Sequence, residues 1–302
     1  MYNPQLETFI RVAEAGSFNK AAEQSYITST AVIKQINLLE ANLDVKLFER
    51  THRGLMLTKA GISLYNDAKY VIQYSKDSVI RAKNAMQEGD NVIRIGTSPM
   101  TPAGVLVELW PKIHELCPEI KFQLIPFENT PENAREILRN LGQNIDVVAG
   151  IFDDTMLNVR SCAGFELSRQ PICCAVSIHH RLADKNRLTI QDLYGERLML
   201  MHRNWSHYVD VLRDDIWQNH SPIQIVDFDF YSVEVFNRCE NSNDVLMAVQ
   251  AWDHVHPLLK VIPVEWNHSI PYGLLYSHTP SETVEQFLSA IRTILHDYNP
   301  KV

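Results

Sequence analysis

The sequence predicts an α/β chain headed by a small all-α module, and three observations carry that reading. Residues 1–58 hold three short amphipathic helical patterns followed by a basic hairpin pattern. Residues 59–87 run as one long helical pattern uninterrupted by proline. From Asn91 onward, short apolar runs alternate with helical ones, the signature of parallel α/β units.

Leu6, Phe9, Ile10, Val12 and Ala13 recur at helical spacing behind Pro4, whose missing N–H suits a first turn, so residues 4–14 read as a helix. Gly16 ends it. Ser17 stands where a second helix needs a cap, and Phe18, Ala21 and Ala22 give that helix a buried face small enough for close approach. Thr28 caps a third helix, whose Ala31, Val32, Gln35, Ile36, Leu39 and Leu43 form a stripe toward the core. Its opposite face begins with Thr28, Ser29, Thr30, Ile33, Lys34 and Asn37. Residues 46–57 then read as a short hairpin with Gly54 at the turn, presenting Arg50, His52 and Arg53.

This order of elements is that of a winged helix-turn-helix, in which the second helix of the motif lies in the DNA major groove. Hydroxyls pair with donors or acceptors on base edges, Lys reaches guanine or phosphate, and Ile33 suits a thymine methyl. The candidate DNA-binding residues are therefore Ser17, Thr28, Ser29, Thr30, Ile33, Lys34, Asn37, Arg50, His52 and Arg53.

Ala21 and Ala22, the run TSTAVIKQI at 28–36, Leu39, Glu40, LFER at 47–50, Arg53 and LTKAG at 57–61 keep one fixed register. In that register the stretch resembles the N-terminal domain of the LysR-type transcriptional regulators. The family commonly has Ser-Gln-Pro or Ser-Gln-Ser where this chain has Thr28, Ser29 and Thr30, and often Ser where it has Ile33. These departures fall on the reading face, so an operator sequence of its own is expected.

Behind Thr58, the positions Leu64, Tyr65, Ala68, Val71, Ile72, Val79, Ala82 and Met86 make an apolar seam on a helix of about 45 Å at 1.5 Å per residue. A seam that outruns its own small module favours pairing with a second chain. The resemblance implies the same: linker helices that pair antiparallel, a homodimer or homotetramer, and double-stranded DNA carrying an imperfect inverted repeat.

A net charge of −8 is at first sight ill-suited to DNA. It is unevenly placed. Residues 1–90 carry eleven Lys or Arg and ten Asp or Glu, whereas the remainder carries seventeen and twenty-six. DNA contact must then rest on a local basic face, and salt should weaken it steeply. Five cysteines (Cys117, Cys162, Cys173, Cys174, Cys239) show no CxxC spacing and read as core or free thiols; a thiol-based redox-responsive regulator is the alternative. No 18-residue apolar stretch and no cleavable signal is evident, which makes the cytoplasm the expected compartment, with no membrane partner.

In the C-terminal part, strands are expected at 92–96, 120–127 and 145–151, with helices at 102–116 and 131–141 between them. A second unit follows from Gly164, with the strand ICCAV, a strand at 198–201, a helix at 206–219 and strands at 223–227, 260–264 and 273–276; a helix at 283–297 closes the chain. This resembles the LysR-type effector domain, a two-subdomain α/β architecture of the type 2 periplasmic-binding-protein kind. The expected division is 1–58 for the winged helix-turn-helix, 59–90 for the linker helix and 91–302 for the effector domain. Within the last, subdomain one takes 91–163 and 267–302 and subdomain two takes 164–266. The family's usual Gly-containing segment in subdomain two is replaced here by Glu240, Asn241, Ser242, Asn243 and Asp244.

Open α/β sheets bind ligands beyond the C-terminal ends of their strands. That rule selects Ser98 and Thr101 after the first strand, Asn129 and Phe152 after the next two, and Arg203 and Trp205 across the cleft as effector-binding residues, with Ser206 as a helix cap. The implied ligand is a small-molecule effector, a carboxylate if Arg203 pairs with it. No cofactor is expected. His179 with His180, and His254 with His256, lack the three or four convergent ligands of a metal site; HHRLA falls where family members carry a His-Pro-Leu-Ala-like turn. No acidic dyad, phosphate loop or nucleophile elbow points to an enzyme. A solute-binding protein is the remaining rival, disfavoured by the N-terminal module.

Overall fold

The computed structural model describes residues 1–51, 54–85 and 91–298, and the chain divides into two compact units, Met1–Glu88 and Gly89–Val302. The first unit runs α1 (Gln5–Ala15), α2 (Phe18–Ser25), α3 (Ser29–Leu43), β1 (Phe48–Thr51), β2 (Gly54–Leu57) and α4 (Lys59–Ala85). Gly16 ends α1 in the left-handed conformation at φ 61°, and β1 pairs antiparallel with β2 as the wing. Phe9, Val12, Ala21, Ala22, Val32, Ile36, Leu39 and Leu47 form the core. The Phe48 ring meets Phe9 and Phe18 edge-on at 5.4 and 5.9 Å, so the wing is clamped onto α1 and α2. Leu43 departs from the expected stripe. It is 44% exposed, because the last turn of α3 projects past the core it would have to reach.

Two polar devices fix the joint between α3, the wing and α4. Glu40 is buried, and its carboxylate accepts from the Leu47 and Phe48 amides at 2.8 and 3.3 Å and from Lys46 Nζ at 2.6 Å. Thr58 donates to the Lys46 carbonyl at 2.7 Å and accepts from the Gly61 amide at 3.0 Å, capping α4. Gly61 is required by contact rather than by conformation: a Cβ there would lie 2.2 Å from the Leu47 carbonyl oxygen. Along α4, Ala68 joins the first unit's core, while Tyr70, Val71, Tyr74, Val79 and Ile80 are exposed. Met86 of the expected seam lies outside the described residues.

The second unit contains β3 (Val92–Thr97), α5 (Gly104–Leu116), β4 (Lys121–Pro126), α6 (Pro131–Arg139), β5 (Val147–Ile151), α7 (Asp154–Arg160) and β6 (Ala163–Ser177). There follow β7 (Arg197–Met201), α8 (His207–Asn219), β8 (Gln224–Phe228), α9 (Val233–Ser242), β9 (Val245–Val249), β10 (Leu259–Pro263), β11 (Ser269–Tyr276) and α10 (Glu282–Tyr298). The strand order is β4-β3-β5-β11-β6-β9-β7-β8, with β10 also on β6. β3 pairs parallel with β4 and β5, and β7 pairs parallel with β8 and β9. Each parallel trio is a lobe, and the long β6 serves both.

Residues 163–171 of β6 pair antiparallel with β11, and residues 172–177 pair with β9 and β10. The first crossing between lobes therefore falls at Pro171–Ile172 instead of near Ala163, because the strand stays hydrogen-bonded in lobe one for its first nine residues. The register of β6 on β11 shifts at Tyr272/Gly273, and a Cβ on Gly273 would lie 2.0 Å from the Phe165 carbonyl. α7, α9 and β9 lie where the patterning predicts no element. Asn243 supplies the left-handed residue that ends α9, at φ 57° and ψ 19°; Asn is the side chain that tolerates this best after glycine.

Candidate functional site

Two sites emerge, one in each unit. In the first, the Thr28 side chain accepts from the Ala31 amide at 3.2 Å and so starts α3, which makes it a cap before it is a reader. Thr30, Lys34 and Asn37 are exposed along the following turns, while Ser29 and Ile33 are half-buried. Ser17, Ile33, Arg50 and Gly54 line one groove between α2, α3 and the wing. Ser17 precedes α2 in extended conformation without a side-chain cap bond. His52 and Arg53 lie outside the described residues. Tyr26, between α2 and α3, escaped the sequence reading: it is 95% exposed and sits at φ 55°, a left-handed position that disfavours a bulky side chain.

In the second unit, a cavity opens between the lobes, with about 640 Å³ of empty space including its solvent mouth. Ala134, Ile137 and Leu138 of α6 form one wall, Val148, Gly150 and Ile151 of β5 a second, and the rings of Phe127, Trp205, Phe230, Tyr231 and Trp252 most of the remainder. Thr101, Asn129 and Trp205 line it as the strand-end rule anticipates. Ser98, Phe152 and Arg203 are absent from the lining. The Ser98 hydroxyl is 2.7 Å from that of Thr101, which places it one step behind the wall. Phe152 is packed into the core. Arg203 pairs with Asp214 of α8 at 2.6 Å, an exposed pair outside the lining.

The lobes are joined around this cavity by three sets of hydrogen bonds. Asn129 Nδ2 donates to the Tyr231 carbonyl at 2.8 Å, and Trp252 Nε1 donates to the Met100 carbonyl at 3.0 Å. Asp153 caps α7 by accepting from the Met156 amide at 2.8 Å, and its other oxygen accepts from Ser206 Oγ at 2.6 Å and the His207 amide at 2.7 Å. Ser206 thus serves the α8 terminus through Asp153, not as the expected side-chain cap.

Arg160 is the one charged residue lining the cavity, and no periodic signal marks it in the sequence. Burial pushes its pKa below the ordinary arginine value, while Cys162 and Asp153 nearby act in the opposite sense. The thiols are shifted the other way. Burial raises Cys173 to about 11 and Cys239 to about 12, and raises Cys174 and Cys162 as well. The histidines serve turns: His180 Nδ1 accepts from the Leu182 amide and His256 Nδ1 from the Leu258 amide, each at 3.2 Å. Among the described residues no three His, Cys, Asp or Glu side chains gather as metal ligands, and no helix is long and apolar enough to cross a membrane.

A helix-turn-helix with a wing, joined in one chain to a two-lobed α/β domain with a cavity between its lobes, is the architecture of a ligand-responsive DNA-binding regulator. Residues 4–62 match the model of the bacterial regulatory helix-turn-helix proteins of the lysR family, and residues 87–295 match the LysR substrate binding domain, so the chain belongs to the LysR-type DNA-binding transcriptional regulators. It is 28% identical over 213 residues to the uncharacterized HTH-type transcriptional regulator YvbU of Bacillus subtilis, covering 69% of either chain. It is 27% identical over 203 residues to the hydrogen peroxide-inducible genes activator of Pectobacterium carotovorum, covering 65% of this chain and 63% of that one. The crystal structure of CbnR, a LysR family regulator, shares the fold at TM-score 0.57 with 18% identity, over 97% of this chain and 99% of that one.

Proposed function

We propose that the chain binds an imperfect inverted repeat as a homodimer or homotetramer, through α3 and the wing, and that a small molecule seated in the inter-lobe cavity sets the outcome at the promoter. The observation that carries this is the cavity itself, walled by apolar and aromatic side chains in the same chain as an exposed recognition helix. CbnR has also been crystallised in complex with its target DNA, with TM-score 0.53 to this chain. Thr30, Lys34, Asn37 and Arg50 are the leading DNA contacts by exposure, Ser17, Ser29 and Ile33 the secondary ones, and Thr28 acts mainly through its cap. His52 and Arg53 complete the wing set on sequence grounds.

The exposed row on α4 supports pairing with a second copy, and the working division remains 1–58, 59–90 and 91–302, with the first inter-lobe crossing moved to Pro171–Ile172. The effector is a small organic acid, and the cytoplasm is the compartment that suits DNA binding. Thiol sensing is the weaker mechanism, since reactive cysteines need an accessible thiolate, whereas four of the five thiols are buried, Cys117 is half-buried, and desolvation raises the pKa of each.

The test is a footprint of bound genomic fragments followed by gel shifts. Lys34→Ala should weaken binding to the footprinted site about tenfold at moderate salt, with a shallower salt dependence, as expected for the loss of one phosphate or base contact. Unchanged affinity would remove Lys34 from the interface.

A further inference from the structure

α4 leaves the N-terminal module from a joint made of directional bonds as well as packing. Leu64, Tyr65 and Ala68 pack into or against the module's core, with the Tyr65 ring edge-on to Phe9 at 6.5 Å. Apolar contact of this kind is non-directional, so it resists separation while letting one helix tilt on another. Glu14, in the last turn of α1, opposes that tilt. Its Oε1 accepts from Tyr65 Oη at 2.9 Å and pairs with Lys69 Nζ at 3.0 Å, and the same ammonium lies 4.4 Å from the centre of the Tyr65 ring. Although burial acts to raise it, the Lys69 ammonium and the Tyr65 hydroxyl hold the Glu14 carboxyl below its ordinary value of 4.5.

Glu14 and Lys69 are half-exposed, and such a pair adds little to stability by itself. Its consequence is geometric. The Thr58 cap pins the start of α4 to Lys46, and Glu14 pins Tyr65 to α1 about 10 Å further along the helix. One pin defines a pivot, whereas two define a direction. From Lys69 to Ala85, α4 runs about 24 Å, so a tilt of about 10° at its root moves its far end by about 4 Å, more than one 3.4 Å step of duplex. In an antiparallel pair the second module stands at that far end. We propose that Glu14, Tyr65 and Lys69 are positioning residues that fix the spacing between half-sites the protein accepts, by holding α4 at one angle to its own recognition helix. This rests on the reading that two copies pair through α4 on an inverted repeat, and it names what sets the spacing of that repeat.

The test is DNA binding by the full-length protein to the footprinted operator, to derivatives with the half-sites moved one, two or three base pairs closer or further apart, and to a fragment with one half-site scrambled. Wild-type protein should prefer one spacing and lose about tenfold or more in affinity on a two-base-pair change, as a rigid two-headed reader does when both heads cannot engage. In Glu14→Ala the preference should flatten to about two- to threefold across the series, with affinity for the single half-site unchanged. Tyr65→Phe keeps the ring and removes one donor, so its profile should fall between the two. Glu14→Gln keeps an acceptor for both donors and should restore most of the wild-type profile.

A spacing preference kept in both Glu14→Ala and Tyr65→Phe would overturn the inference. So would an equal loss at every spacing and on the single half-site, the mark of a module that has only been destabilised. The reading beneath it fails separately. If wild-type protein binds one half-site as tightly as two, pairing on a repeat is wrong; if it needs both but accepts every spacing, pairing stands and the fixed angle of α4 is what fails.

Discussion

At the scale of single residues, the most consequential side chain outside the two sites is Glu40. Burial by itself would raise its pKa, but the Lys46 ammonium and the Leu47 and Phe48 amides outweigh that, and the carboxyl lies below its ordinary value of 4.5. A group depressed on folding contributes stability in full above its unfolded pKa and loses it as pH falls through the folded one. Glu40→Ala should cost the N-terminal module about 2–4 kcal/mol at neutral pH, since two backbone donors lose their acceptor at about 1–3 kcal/mol each. The variant and the wild type should converge in denaturant midpoint as the medium becomes acidic. A gap that persists in acid would assign the loss to packing.

The residue scale also marks the limit of what the sequence discloses. Thr101, Asn129 and Trp205 follow from the rule that ligands sit beyond strand ends, because their backbone positions are fixed by the strands before them. Arg203 obeys the same rule but lies outside the lining, where a side-chain ion pair with Asp214, which the rule does not foresee, holds it. Arg160 was not legible at all. It ends a seven-residue helix, too short to leave a periodic pattern, and only the fold brings it to the cavity lined by aromatic rings.

Among the elements, α4 makes the sharpest demand. At 27 residues it extends about 40 Å, and only its first turns are used by its own module. Tyr70, Val71, Tyr74, Val79 and Ile80 remain exposed beyond them, with Tyr70 stacked on Tyr74 at 6.0 Å. Replacing Val79 and Ile80 by Glu should leave the helical circular dichroism unchanged and shift the protein toward monomer in sedimentation velocity; an unaltered sedimentation coefficient would show that this row is not the pairing seam. Periodicity made this helix readable from Thr58 onward, as it did α1, α3 and α10. α9 and β9 were hidden for the opposite reason: Asn243, the residue that separates them, gives a weaker boundary signal than the glycine usually found there.

For the whole molecule, the division into two units means that a change inside one should be confined to it. Asp153 offers the test. Asp153→Ala removes the acceptor of Met156, Ser206 and His207 donors and should lower the stability of the effector domain by about 3 kcal/mol or more, at about 1–3 kcal/mol for each buried donor left unpaired. Calorimetry should register this in the effector-domain transition, with the N-terminal module melting as before. A matching loss in both transitions would mean that the units unfold together.

The bonds that cross from lobe to lobe carry a further consequence. A clamshell receptor converts ligand binding into signal by shifting an equilibrium between open and closed forms. Here Asp153, Asn129 and Trp252 tie the lobes together around the chamber. A ligand that changed the angle between the lobes would have to break or re-form these bonds, each worth about 0.5–1.5 kcal/mol net. The bonds around the chamber, and not the chamber alone, therefore set what a change in lobe angle costs.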